Sequence, residues 1–241
     1  MLSVNQDAKT IKGVKRGYLT GILCLAPHTL SGRNLCPNAS PGCIATCLNT
    51  AGRGAFNSVQ RSRIAKTKQF TAAPTAFLYA LVKDIKSLER KAKRQRMIPL
   101  VRLNGTSDIP WENVSYHYPL TSNCRCNVMQ TFPHIQFYDY TKSYARMWKF
   151  INGGLPSNYH LTFSRSECND DDAVQILKLG GNVAVVFSTR KGEKLPAFWN
   201  GYRVIDGDID DVRPYDPSGV VIGLRAKGKA RKDTTGFVVH V

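Results

Sequence analysis

The chain has 241 residues, 42% of them hydrophobic, with 34 Lys and Arg against 17 Asp and Glu and a formal charge of +17. That content allows one sizeable core, and the charge predicts a surface that recruits polyanions, so nucleic acid is the expected partner, bound with strong salt dependence, with charge kept only for solubility as the bland alternative. No apolar stretch of leader length opens the chain and none approaches the roughly 20 residues of a membrane span, so the expectation is a cytosolic protein with no membrane partner.

In chain order, the first β-type run is Tyr18–Leu25. It leads directly into Leu30-Ser-Gly-Arg-Asn-Leu-Cys36-Pro-Asn-Ala-Ser-Pro-Gly-Cys43-Ile-Ala-Thr-Cys47, a loop rich in Gly, Pro and Asn. Two helices follow, Asn57 to Phe70 and Thr75 to Arg94, the second with Phe77, Leu78, Leu81, Ile85 and Leu88 spaced for one buried face. Further β-type runs are Ile98–Asn104, Ile135–Thr141, Tyr159–Ser164, Val183–Phe187, Tyr202–Ile205 and Val220–Leu224. Asn169 to Asp172 cap a helix that stops at Gly180-Gly181.

Strands alternating with helices predict parallel βαβ units. The expected fold is a single-domain α/β complete or partial barrel of mainly parallel strands. Its one catalytic domain covers residues 1–241, with the first strand and metal loop in 17–56 and the rest of the barrel in 57–241. An open doubly wound sheet is the competing arrangement.

Seven cysteines, an odd number, fit thiols or metal ligands better than a disulfide framework in a reducing compartment. Cys36, Cys43 and Cys47, spaced x6 and x3 after the first strand, can converge on one centre, with Cys24 or His28 as a fourth ligand. Thiolates suit an iron–sulfur cluster and zinc alike, and a zinc staple or plain buried thiols stay open as readings. Cys124 and Cys126 are too few to define a second site.

Polar residues recur where the strands end, the active end of parallel α/β folds. Asn104 and Asp108 follow the second strand; Asp139 and Lys142 mark the third; Ser164, Arg165 and Glu167 the fourth; Asp206 and Asp208 the sixth. Asp108, Asp139, Lys142, Glu167, Asp206 and Asp208 are therefore the catalytic candidates, and Asn104, Ser164 and Arg165 the cofactor contacts. Asp108 reads equally as a turn-forming residue before Pro. Trp111 is a candidate for stacking on a base. Three basic tracts supply the phosphate contacts: Arg61, Arg63 and Lys66; the helix from Lys83 to Arg96; and Arg225, Lys227, Lys229, Arg231 and Lys232.

The cysteine loop, Arg102-Leu-Asn-Gly-Thr-Ser-Asp108 and Phe137-Tyr-Asp-Tyr-Thr-Lys142 together resemble phage and plasmid proteins with an N-terminal cysteine loop. More distantly they resemble radical S-adenosylmethionine barrels of the spore-photoproduct-lyase kind. There, a three-cysteine loop ligates an iron–sulfur cluster and a Thr-Lys pair closes a later strand. That family's loop is Cys-x3-Cys-x2-Cys, whereas this one is Cys-x6-Cys-x3-Cys. The resemblance implies an enzyme modifying a nucleotide in DNA or RNA, with an iron–sulfur centre and S-adenosylmethionine as a further cofactor. Two other readings stay open: base exchange or glycosidic cleavage through Asp206 or Asp208 with Asp108, and a nucleic-acid-binding module whose cysteines only fold the loop.

Overall fold

A computed structural model describes residues 1–117 and 125–241. Its strands are β1 (Ser3–Val4), β2 (Tyr18–Ile22), β3 (Ile98–Arg102), β4 (Tyr116–His117), β5 (Arg125–Cys126), β6 (Gln136–Thr141), β7 (Tyr159–Ser164), β8 (Val183–Phe187), β9 (Phe198–Trp199), β10 (Tyr202–Asp206) and β11 (Val221–Arg225). The helices are α1 (Ala8–Val14), α2 (Pro41–Ala45), α3 (Asn57–Ala72), α4 (Pro74–Arg94), α5 (Val128–Thr131), α6 (Tyr144–Ile151) and α7 (Asp170–Lys178). All seven predicted strands form, with ends displaced by at most a few residues.

The main sheet runs β1-β2-β3-β6-β7-β8-β11-β10-β9. It is parallel from β2 to β10, and the two-residue strands β1 and β9 pair antiparallel at its edges. From β2 to β8 each crossover steps one position the same way. Right-handed crossovers then put the connecting helices on one face. There Leu19, Val101, Phe137, Leu161, Phe163, Val183 and Val185 form a single core with the buried face of α4 and with Met147, Ala173 and Ile176 of α6 and α7. The predicted apolar stripe of α4 is fully used: Phe77, Leu78, Leu81, Ile85 and Leu88 are at most 2% exposed, each contributing about 1.5–3 kcal/mol of burial.

The sheet does not close on itself. The expectation of a barrel is corrected to an open, mostly parallel sheet, wound on one face from β2 to β8. The physical reason lies in the last two strands. β11 inserts between β8 and β10, so the chain reverses its direction of travel and the 207–220 connection crosses the opposite face. Its Val212 packs with Leu100, Tyr138 and Tyr18, and α1 lies beside it, an ideal Cβ on Gly13 falling 3.3 Å from Val212. This second face is closed by the protein's own chain.

Candidate functional site

The cysteine loop is held where the strands end. Beyond β2, Leu23 N–H donates to Arg102 O (2.8 Å) and Gly105 N–H to Leu23 O (2.9 Å), which aligns the loop after β2 with the one after β3. Cys36 lies between them: its Sγ accepts from His28 N–H (3.3 Å) and donates to Thr106 O (3.8 Å). Asp108 N–H donates to Leu35 O (2.8 Å). Cys43 belongs to α2, a five-residue helix capped by Ser40, whose Oγ accepts from Cys43 N–H (3.2 Å).

Glu167, from the turn after β7, fastens that helix. Its carboxylate accepts from Ser40 Oγ–H and Gly42 N–H, both at 2.7 Å. A Cβ on Gly42 would sit 2.7 Å from Glu167 Oε2, so this approach requires glycine. Burial opposes the charge on Glu167. The bonds from Ser40, from its own N–H and from Gly42, with the nearby Lys142, nevertheless hold its pKa below the usual carboxylate value.

Cys36, Cys43 and Cys47 all lie between β2 and α3, each half-buried. Burial raises the pKa of each thiol, Cys36 to about 11; Cys47, Asp108 and Cys43 add to the rise at Cys36, and Cys47, Glu167 and Asp108 to that at Cys43. Lys142 works in the other direction on Cys43 and Cys47. Its ammonium donates to Ser164 Oγ (2.7 Å) and to the carbonyls of Ser164 and Arg165 (3.3 Å each), and burial lowers its pKa. Cys24 lies beside Gly105, where a Cβ would meet its Sγ at 2.5 Å, and acts on Lys66. Among the described residues, no three of His, Cys, Asp and Glu are placed to hold a metal ion. Cys124 lies outside the described residues, and Cys126 donates to or accepts from Thr131 Oγ1 (3.4 Å).

The C-terminal segment roofs this end of the sheet. After β11 it forms a 3-10 turn, Gly228–Lys232, then returns so that Val239 bridges Phe187 of β8. Arg165 fixes it by donating to the carbonyls of Gly236 and Phe237, while pairing with Asp170 at the start of α7. The Phe237 ring centroid stands 5.2 Å from Lys142 Nζ.

Other candidates are tied into hydrogen-bond networks within the fold. Asp139 is fully buried and accepts from Asn104 N–H (2.6 Å), Asn104 Nδ2 (3.3 Å) and Tyr159 O–H (2.8 Å). Asn104 Oδ1 in turn accepts from Ser107, Ile109 N–H and Trp111 Nε1. Trp111 is therefore corrected: its ring is fully buried, and no base can reach it from solvent. Asp108 bridges Lys142 N–H (3.0 Å) and Arg146 Nη1 (2.8 Å). Arg146, which sequence reasoning passed over, also forms a bidentate pair with Glu112 (2.8 and 2.9 Å) and donates to Tyr159 OH (3.0 Å).

Asp206 and Asp208 belong to the second face, not to the thiol group. Arg225 Nη1 lies 2.9 Å from both oxygens of Asp206, and Asp208 is paired with Lys9 (3.0 Å) and Lys227 (2.7 Å). Next to them Asp211 accepts from Arg102 (2.9 Å), Tyr138 (3.0 Å) and Tyr140 (3.3 Å). Of the proposed phosphate contacts, Arg61, Lys227, Lys229, Arg231 and Lys232 are exposed. Arg63 turns inward to Asn49, Lys66 to Met1 O and Arg225 to Asp206, while Lys227 pairs with Asp208 at the surface.

A cavity of about 550 Å³ lies elsewhere, lined by α5, α6 and residues 154–158, with no cysteine of the described residues in its lining. No helix among the described residues is long and apolar enough to cross a membrane. Compared with known proteins, the chain matches the family model described as Gene product 88 over residues 1–241. No curated protein and no solved structure matches it.

Proposed function

Starting from a chain that belongs to the gene product 88 family, a phage-type family, we propose an enzyme that modifies nucleotides within DNA or RNA, with Cys36, Cys43 and Cys47 as the ligands of an iron–sulfur centre. One observation carries this reading. Three half-buried thiols of one loop, a buried lysine and the loop-fixing Glu167 lie at the C-terminal ends of parallel strands, where such folds place their chemistry.

Thiolates suit an iron–sulfur cluster and zinc alike, and the resemblance of the three-cysteine loop after the first long strand to radical S-adenosylmethionine barrels is what favours the cluster. Bound by three cysteines, such a centre keeps one iron open and supplies one-electron chemistry to a cofactor of the S-adenosylmethionine class. Lys142 offsets the thiolate charge from inside, Glu167 fixes the helix that carries Cys43, and the C-terminal roof keeps bulk water from the strand ends. Ser164 is committed to Lys142, so it positions the ammonium and does not meet a ligand directly.

Base exchange through aspartates finds less support. A nucleophilic carboxylate needs access to the sugar carbon, whereas Asp206 and Asp208 are each held by cations and lie on the face closed by the 207–220 connection.

The test is made on nucleosides. Anaerobically prepared protein, given a reductant and S-adenosylmethionine, is incubated with single-stranded and duplex DNA and with RNA, and the digests are analysed by mass spectrometry. A mass-shifted nucleoside is expected with the wild type and not with Cys43→Ala or Lys142→Met. Unchanged nucleosides in every wild-type reaction, or an equal yield from the Cys43→Ala protein, would overturn the reading.

A further inference from the structure

The loop that bears the thiols shows solvent an apolar surface that the fold does not need. Ile44 is 42% exposed, Leu48 57% and Phe56 60%. These side chains stand on a rigid base. Leu48–Thr50 and Gly52–Ala55 are consecutive 3-10 turns packed against each other. Gln60 of α3 bonds to Asn49 O (2.6 Å), to Asn49 Nδ2 through its own oxygen (2.8 Å) and to Gly54 O. Arg63 also donates to Asn49, from the next turn of α3.

Cations border this platform. A Cβ on Gly228 would come within 3.0 Å of Ala51 Cβ, so the turn carrying the exposed Lys229, Arg231 and Lys232 lies against the platform. Arg53 and Arg61, both exposed, stand on the platform and on α3. The loop and α3 themselves carry no acid, since the sequence has no Asp or Glu between Asp7 and Asp84; Glu167, which reaches α2 from the turn after β7, is engaged by Ser40 and Gly42. In the C-terminal segment Asp233 is buried and accepts from Thr235 and Val238 N–H.

We infer that this platform docks a single-stranded or locally unpaired stretch of nucleic acid, with Phe56 and Leu48 against exposed bases and Lys229, Arg231 and Lys232 along the phosphates. Apolar and aromatic side chains in an electropositive setting are how proteins hold unpaired bases, because every base offers a π-face whatever its sequence. A second copy of this chain is the poorer occupant, since two bodies of formal charge +17 repel. The inference rests on the nucleic-acid reading above and adds which form of the substrate is held, and where: beside the thiols, on the loop that carries them.

The probes are a fluorescent 20-nucleotide oligothymidine and a 20-base-pair duplex, titrated with wild-type protein, Phe56→Ala and the double variant Arg231→Ala/Lys232→Ala over a range of salt. The exposed position of Phe56 leaves folding intact, which circular dichroism verifies. The single strand is expected to bind Phe56→Ala about tenfold or more weakly, as loss of one stacked base implies, with an unchanged salt slope. The double variant lowers that slope by about 1.4, the value for two single-strand phosphate contacts. Tight oligothymidine binding that Phe56→Ala does not weaken would overturn this inference while leaving the enzymatic reading in place. Absence of any oligonucleotide binding would remove both. Self-association in sedimentation that Phe56→Ala abolishes would assign the platform to a second copy instead.

Discussion

Replacing Arg146 by methionine is expected to lower the unfolding free energy by about 3–5 kcal/mol, the usual cost of stranding buried partners of a lost charge. The guanidinium joins three parts of the chain: Asp108 after β3, Glu112 in the following turn, and Tyr159 of β7. Its side chain is only 10% exposed, as are those of Asp108 (11%) and Glu112 (7%) to a similar degree. Methionine keeps most of the volume and leaves two carboxylates without their cation. The cost therefore comes from the stranded acids, not from a cavity. Urea unfolding measures it as a lower midpoint at constant slope. Adding Glu112→Gln to Arg146→Met should restore part of the loss, because one stranded charge is removed. A loss below about 1 kcal/mol in the single variant would mean that water reaches these groups and screens them.

The second large effect concerns Asp139. Burial pushes its carboxyl up to about 7, against hydrogen bonds from Asn104 and Tyr159 and the fields of Arg102 and Arg146 that favour its charge. Between about pH 4 and 7 the native chain then holds a proton that the unfolded chain releases, so this group's contribution to stability falls as pH rises through that window. Three pKa units correspond to roughly 4 kcal/mol. Asp216, raised to about 6 by burial, adds to the trend. His160, lowered to about 4 by burial and Arg213, opposes it, because the unfolded imidazole takes a proton there that the native one refuses. The informative quantity is thus the difference between Asp139→Asn and wild type: the variant should gain on the wild type by several kcal/mol between pH 4 and pH 7.5. A difference that does not change with pH would place the Asp139 pKa near its ordinary value. Asp210 and Asp211, held below the usual carboxylate range by their arginine and backbone partners despite burial, contribute stability that is lost only as pH falls below about 4.

The parallel strands were readable because their burial on both faces leaves dense apolar runs, such as Val183–Phe187, that few other structures explain. The stripe on α4 was readable for the same reason at helical period. The order β8-β11-β10 was not, since pairing between distant strands leaves no local mark, and the two-residue strands β1, β4, β5 and β9 are too short for any period. At the site, the position of Cys36, Cys43 and Cys47 in the segment between the first long strand and α3 was legible from their place after a strand. Asp206 and Asp208 looked free because Lys9 and Arg225, which hold them, are remote in sequence or on a neighbouring strand. Trp111 looked like a stacking ring because it follows a polar turn, yet Asn104 draws its indole N–H inward. Phe56 carried a signal that went unused: an aromatic residue in a Gly- and Arg-containing segment, outside any apolar period.

The central claim is that Cys36, Cys43 and Cys47 hold an iron–sulfur centre, and metal analysis of protein isolated without oxygen tests it most directly. Iron and acid-labile sulfide in comparable amounts, with brown colour and broad absorbance near about 400 nm, is the predicted result; all three should disappear in the Cys36→Ala/Cys43→Ala/Cys47→Ala protein. Colourless wild-type protein carrying stoichiometric zinc, or iron and sulfide that persist in the triple variant, would contradict it.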